Sequence, residues 1–301
     1  MSIPTPVGRD SVEPHLPTQQ ARAQRVSWLG VTLPEMLTAF ASLRSKWGST
    51  ESHPTSRRAF CTALAYISIL TALPAAQSNE GRQIISDPAV QRSEGQRIAA
   101  ETRSLGPKSS STNTAVLRIY TTSRKLRAEI PVTIRTTLAD DQWHTDYTSG
   151  DGLRFRVSRS PNTPSRYATG RETGQLQPTS NLLVPFAGSD FWLVDLGLDF
   201  FHWPEQRLLS KEQRRGEACF VLESTTLKPA AGGYSRVVTW LDQGTLGIVA
   251  AEAYDTRGKL LKEFQPKSFK KVNGQWQLKE MEIRNEQTDT RTSLVFDVEV
   301  Q

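Results

Sequence analysis

Histidine is weighed first, because its ordinary pKa lies near neutrality and it serves most readily as base, acid or metal ligand. Beyond the leader this chain has two, His144 beside Trp143 and His202 at the end of an aromatic run. Neither stands in a metal-ligand spacing such as HxxxH. The sequence has no GxSxG, no Gly-rich phosphate loop and no CxxC. Of its two cysteines, Cys61 falls in the leader and Cys219 in an apolar run, where a lone thiol acts as a small hydrophobe. Asp190, Asp195 and Asp199 follow one another at five and four residues. The last two would share a helix face, but without further oxygen ligands they read as a solvated acidic edge. Asp140-Asp141 is a turn pair. No catalytic residue, metal or cofactor is therefore expected, and the chain reads as a non-enzyme. A soluble hydrolase acting through lone carboxylates is the alternative.

The other conspicuous supply is large apolar side chains. Trp143, Trp192, Trp203, Trp240 and Trp276 all lie beyond the leader. Between Asn181 and Trp203 the chain is too apolar to lie in water. Ser189 or Asp190 can cap a helix there. Phe191, Val194, Leu198 and Phe201 then fall at i, i+3, i+7 and i+10, one helical face. Such a helix must cover something, and the open mouth of a curved sheet is the natural place. The candidate ligand-contacting residues, in cavity and lid, are Trp143, Phe155, Phe191, Val194, Leu198, Phe201 and Trp240. A core filled by its own side chains is the competing expectation, which would make the chain a structural protein of the cell envelope.

The elements that must position these residues are mostly strands. Residues 218–224, 234–241 and 247–254 are extended runs separated by turns, and 260–269, 275–285 and 291–300 continue the pattern. Connections this short require antiparallel neighbours. Upstream, 115–120, 128–138, 142–147 and 153–157 alternate in the same way. In the last of these Leu153, Phe155 and Val157 face one way, and Arg154 and Arg156, with Arg159, read as the outer face. Pro161 to Thr179 reads as a long loop with at most a short edge strand. Ser86 or Asp87, followed by Pro88, starts a helix that runs to about Arg103, with a narrow apolar stripe of Ala89, Val90, Ile98 and Ala99. The expected architecture is mainly β with helices (α+β): an incomplete antiparallel β-barrel, a curved meander sheet whose open side the helices cover.

The chain has 301 residues and a formal charge of +6. Residues 1–76 hold seven Lys/Arg against four Asp/Glu, leaving 30 of the 37 basic and 27 of the 31 acidic residues for the rest. Basic and acidic residues there alternate along strands, which makes a solvated sheet face and not a nucleic-acid surface. Residues 1–55 read as a disordered extension. Arg57-Arg58, the apolar run Ala59 to Leu73 and the small residues Pro74-Ala75-Ala76 are the parts of an export signal over 56–76. The paired arginines resemble a twin-arginine signal, an ordinary basic start being the other reading. The run is shorter than the ~20 residues of a permanent span, though a retained N-terminal anchor stays open. A single domain, 77–301, completes the chain.

Several ordered motifs add a family resemblance over about 86–301. Pro185-Phe186-Ala187-Gly188-Ser189-Asp190-Phe191 through Asp195-Leu196 is the first. Gly216 to Glu223, Tyr234 to Asp242, Ala253 to Lys262 and Arg291-Thr292-Ser293-Leu294 come after it. Together they resemble the outer-membrane lipoprotein-sorting proteins, the LolA-like group of the bacterial periplasm. The resemblance implies an incomplete barrel whose mouth is closed by helices and which holds acyl chains of a lipoprotein or lipid. It also implies carriage between inner- and outer-membrane partner proteins, without chemistry and in the periplasm. No residue matches the arginine with which the founding carrier controls its lid.

Overall fold

A computed structural model describes residues 81–140, 142–272 and 275–297. The extension 1–55, the leader 56–76 and the end of the expected last strand lie outside them. Asp87 accepts from the amides of Ala89 and Val90 and caps helix α1, Pro88–Ser104, with Pro88 in its first turn. The buried stripe of α1 is Gly95, Ile98, Ala99 and Thr102, so Val90, expected in it, is exposed.

Among the described residues, fourteen strands form one antiparallel sheet. They are β1 Gln83–Ile84, β2 Ser111–Tyr120, β3 Leu126–Ala139, β4 Gln142–Ser149, β5 Leu153–Ser160, β6 Thr163–Arg171 and β7 Gln177–Pro178. After a crossing come β8 Glu205–Arg214, β9 Glu217–Thr225, β10 Arg236–Asp242, β11 Ile248–Tyr254, β12 Leu260–Val272, β13 Gln275–Asn285 and β14 Thr290–Phe296. Two departures from expectation appear. Residues 163–171, expected within a loop, form β6 and pair along β5, Phe155 opposite Thr169 and Val157 opposite Tyr167. β8, not anticipated, pairs along β9 through a two-residue turn at Arg215 and Gly216, with φ of 55° and 84°. Such a turn matches the twist of the strands it joins.

The strand order is β1-β8-β9-β10-β11-β12-β13-β14-β2-β3-β4-β5-β6-β7. Two meanders thus meet where β14 pairs with β2, Leu294 opposite Leu117. The outermost strands, β1 and β7, are not bonded to one another, so the sheet is an open barrel. This order dictates the path of the intervening chain. β7 and β8 are consecutive in sequence but stand at opposite ends of the sheet, so residues 179–204 must cross one face of it.

That face holds the core. Leu117, Ile134, Tyr147, Phe155, Leu208, Leu222, Val237, Met281 and Leu294 project into one cluster with Phe191, Leu193, Leu196 and Phe201 of the crossing segment. α1 closes the β8 end. At Gly95 an added Cβ would stand 2.6 Å from the backbone of Arg207, so glycine alone permits so close an approach of helix to strand. The opposite face of β9–β11 carries a smaller cluster around Cys219, Val221, Val238, Trp240 and Val249.

Candidate functional site

The crossing segment begins as a tight reversal. Phe186 and Phe191 are bonded backbone to backbone at 2.8 Å across a turn in which Ala187 and Gly188 have positive φ. The Trp192 amide then donates to Asp195 Oδ2 at 2.8 Å and starts α2, Leu193–Gly197. Leu198 takes a left-handed conformation (φ 52°), and a 3-10 turn runs over Asp199–His202. The single helix expected from the spacing of Phe191, Val194, Leu198 and Phe201 is therefore broken in two, and its start lies at Trp192 instead of Ser189 or Asp190. Gly197 marks the break. A Cβ there would stand 2.2 Å from the Tyr167 hydroxyl oxygen, so the chain passes over β6 at glycine distance and then turns.

The crossing segment is held down by side chains. Lys262, only 2% exposed, donates to the Asp190 carbonyl at 2.6 Å and to Asp195 Oδ2 at 3.1 Å. Its Nζ lies 3.3 Å from the centre of the Trp192 ring, which stacks on Tyr234. Tyr234 donates to Asp195 Oδ1 at 2.7 Å, and burial together with Asp195 holds its phenol well above the usual range. Toward β5, Arg159 Nη2 donates to the Leu196 carbonyl at 2.6 Å. Arg103 of α1 donates to the Phe201 carbonyl at 2.6 Å, and Gln206 to those of Phe200 and Trp203, both at 2.9 Å. Tyr167 donates to Asp199 at 3.1 Å, and burial raises the Asp199 carboxyl. Asp190 accepts from Thr290 and Thr292. Asp195 and Asp199, expected as a solvated edge, are thus ties between segment and sheet, and so is Asp190.

Beneath the segment lies a narrow slot with a cavity volume of about 30 Å³. Phe191, Leu198, Phe200, Val237, Ile248, Ala251, Phe264 and Ile283 give it apolar walls, and Asp195, Tyr234 and Lys262 stand at one side. The lumen is narrow. Of the residues named from sequence, Phe191 and Leu198 line the slot. Val194 faces a groove toward Leu183 and Trp203, and Phe201 faces a second recess beside Trp143, which Leu198 also borders. Phe155 is buried against Phe186, ring centres 5.1 Å apart. Trp240 is a correction: it lies on the opposite face, with its indole bonded to Glu212 and Arg214 stacked over it. Val237 and Leu241 face inward, so strand parity sends Trp240 outward.

Arg159 is the second correction. It is 8% exposed and sits on the inner face with Leu153, Phe155 and Val157, whose parity it shares. Arg154 and Arg156 do face outward, on Asp146 at 2.8 and 2.7 Å. Residue type and spacing alone also miss Lys262 and Tyr234. Tyr234 opens one of the family motifs and Lys262 closes another, and that resemblance is what points to them in the sequence.

For chemistry, His144 Nδ1 lies 2.9 Å from Ser158 Oγ, but this is a cross-strand pair on the outer face. Burial pushes the Cys219 thiol up to about 12, so it is no thiolate nucleophile near neutrality. Among the described residues no cluster of His, Cys, Asp and Glu could hold a metal ion.

An open antiparallel barrel whose inner face is crossed by an apolar segment defines the class. A family model described as "uncharacterized protein" matches residues 171–300. Comparison with curated proteins gives no match. Among solved structures, a DUF1329 family protein from Desulfovibrio piger is 20% identical with a TM-score of 0.57, covering 70% of this chain and 95% of its own. An outer membrane lipoprotein-sorting protein domain from Vibrio parahaemolyticus is 22% identical with a TM-score of 0.55, covering 68% and 91%. A LolA superfamily protein from Nitrosomonas europaea is more distant, at 16% identity and a TM-score of 0.48. The chain has the fold of the lipoprotein-sorting domain, in agreement with its motifs.

Proposed function

We propose that this protein is an exported, non-catalytic carrier that holds the acyl chain of a lipoprotein or lipid beneath the segment 182–203. The observation that carries this reading is the way that segment is fastened. It covers an apolar slot, yet it joins no strand ladder of the sheet beneath it and is tied by side-chain bonds to its backbone carbonyls and carboxylates. Such ties can be exchanged one by one, whereas a strand ladder opens as a unit. The shared fold with a lipoprotein-sorting domain supports the same reading. The cargo would be received from and delivered to membrane partner proteins, with the periplasm as the compartment. Native mass spectrometry of protein purified from membranes should show co-purifying acylated species. Their absence, with the bare chain recovered in every preparation, would favour the envelope protein with a filled core, a reading that the narrowness of the slot keeps in play.

Export is proposed to run through either the twin-arginine or the general route, and the paired arginines allow the two to be told apart. Arg57→Lys with Arg58→Lys keeps the charge but removes the guanidinium groups, so on the twin-arginine route export of this variant should fail. Normal export would assign the leader to the general route. Among the described residues no helix is long and apolar enough to cross a membrane.

A further inference from the structure

The second recess, a small cavity of about 20 Å³, lies between the end of α1, β4–β5 and the 3-10 turn. Arg103, Trp143, Arg159, Leu198 and His202 line it. Its chemistry differs from that of the slot. Arg159 is more than nine-tenths buried, and its Nε has no hydrogen-bond partner. The buried indole N–H of Trp143 also lacks one. Each arginine has a single hydrogen bond here, to a neutral carbonyl, Arg159 to Leu196 and Arg103 to Phe201. Among the described residues neither arginine has a carboxylate within ion-pair distance. Burial and these two cations hold His202 down to about 4, so the imidazole is neutral near pH 7. A buried guanidinium without a counter-ion is costly, since desolvation is not offset by a paired charge. Lys262, the buried cation that ties the other end of the crossing segment, is by contrast answered by a carboxylate.

We propose that this recess binds an anionic group, a carboxylate or phosphate, received by Arg159 and Arg103 with the Trp143 indole as a further donor. Guanidinium offers five N–H donors in a planar fork suited to such oxygens. Leu198 borders both the recess and the slot, so an anion here and an apolar chain there can belong to one molecule. That extension, which rests on the carrier reading, makes the ligand an acidic lipid.

The test uses the full chain and four probes: dodecanoate, dodecyl phosphate, dodecanol and inorganic phosphate, titrated by calorimetry at neutral pH. The two acidic chains should bind about tenfold or more tighter than dodecanol, the increment expected of charge-assisted bonds. Arg159→Gln, which keeps a donor for Leu196, should abolish that ratio and leave dodecanol binding unchanged. Arg103→Gln, at a less buried position, should reduce it and serves if the first variant does not fold. Phosphate binding that depends on Arg159, with no chain bound, upholds the anion site and overturns the carrier reading. Equal affinity for dodecanoate and dodecanol, a ratio unchanged in both variants, or no binding of any probe overturns the anion site.

Discussion

Lys262→Met is expected to lower the unfolding free energy by about 3–5 kcal/mol, the range for removing one partner of a buried ion pair. The side chain is 2% exposed and its carboxylate partner Asp195 12%, so water does little to rescue the remaining charge. Methionine retains most of the stem volume, so lost packing is a minor part of the effect. Asp195 keeps its bonds from the Trp192 amide and Tyr234, which places the expected value at the lower end. The change should also be local. Amides of 189–203 should exchange faster than those of β9 and β10, because the variant frees the segment before the sheet. A double variant, Lys262→Met with Asp195→Asn, removes both charges and leaves an acceptor for Trp192. It should be less destabilised than the two single changes added together, by about 0.5–3 kcal/mol. Urea denaturation of the four proteins measures this. Strict additivity would show that the pair is not what fastens the segment.

The strands legible in the sequence are those whose two faces differ in polarity. β5 is the clearest, with Leu153, Phe155 and Val157 inward and Arg154 and Arg156 outward. β8 is not legible because its inward position Gln206 is buried for hydrogen bonds and not for the apolar core, and because a bulge after Leu208 carries the buried Ser210 to the opposite face, across from Val221 and bonded to Glu212. Burial alternates there while hydrophobicity does not. β6 next to the short edge strand β7 presents mostly small and polar residues around Tyr167, and so resembles a loop. Arg159 is misplaced by residue type: an arginine following two outward arginines invites the same assignment, although its register with Val157 puts it inside. The crossing segment shows the limit of helical spacing. Its apolar residues do turn inward, but Gly197 against Tyr167 and the left-handed Leu198 are set by contacts between distant parts of the chain. Only the pairing order of the strands makes them necessary. The same holds for Lys262 and Asp195, 67 residues apart in the chain.

Leu198→Ala should separate a cover from a filled core. Leu198 is 6% exposed and borders both the slot and the recess. In a solidly packed core, Leu→Ala costs about 2–5 kcal/mol, because the cavity left behind adds to the lost transfer energy. Where space already exists on one side of the side chain, fewer contacts are lost, and the cost should stay near the transfer part, about 2 kcal/mol. Leu222→Ala supplies the control, since Leu222 is fully buried on β9 and does not border the slot. It should fall higher in the range and leave ligand affinity intact. Leu198→Ala should instead weaken binding of a fluorescent fatty-acid probe while remaining mostly folded. Both measurements are made on the same preparations: chemical denaturation for stability, and probe titration corrected for the folded fraction. A loss of about 4–5 kcal/mol with probe binding unchanged in the folded fraction would sink the cover and make the segment ordinary core. A small loss with binding weakened would mean that Leu198 spends its burial on the ligand, since a side chain facing a space kept for something else can contribute little to the empty protein.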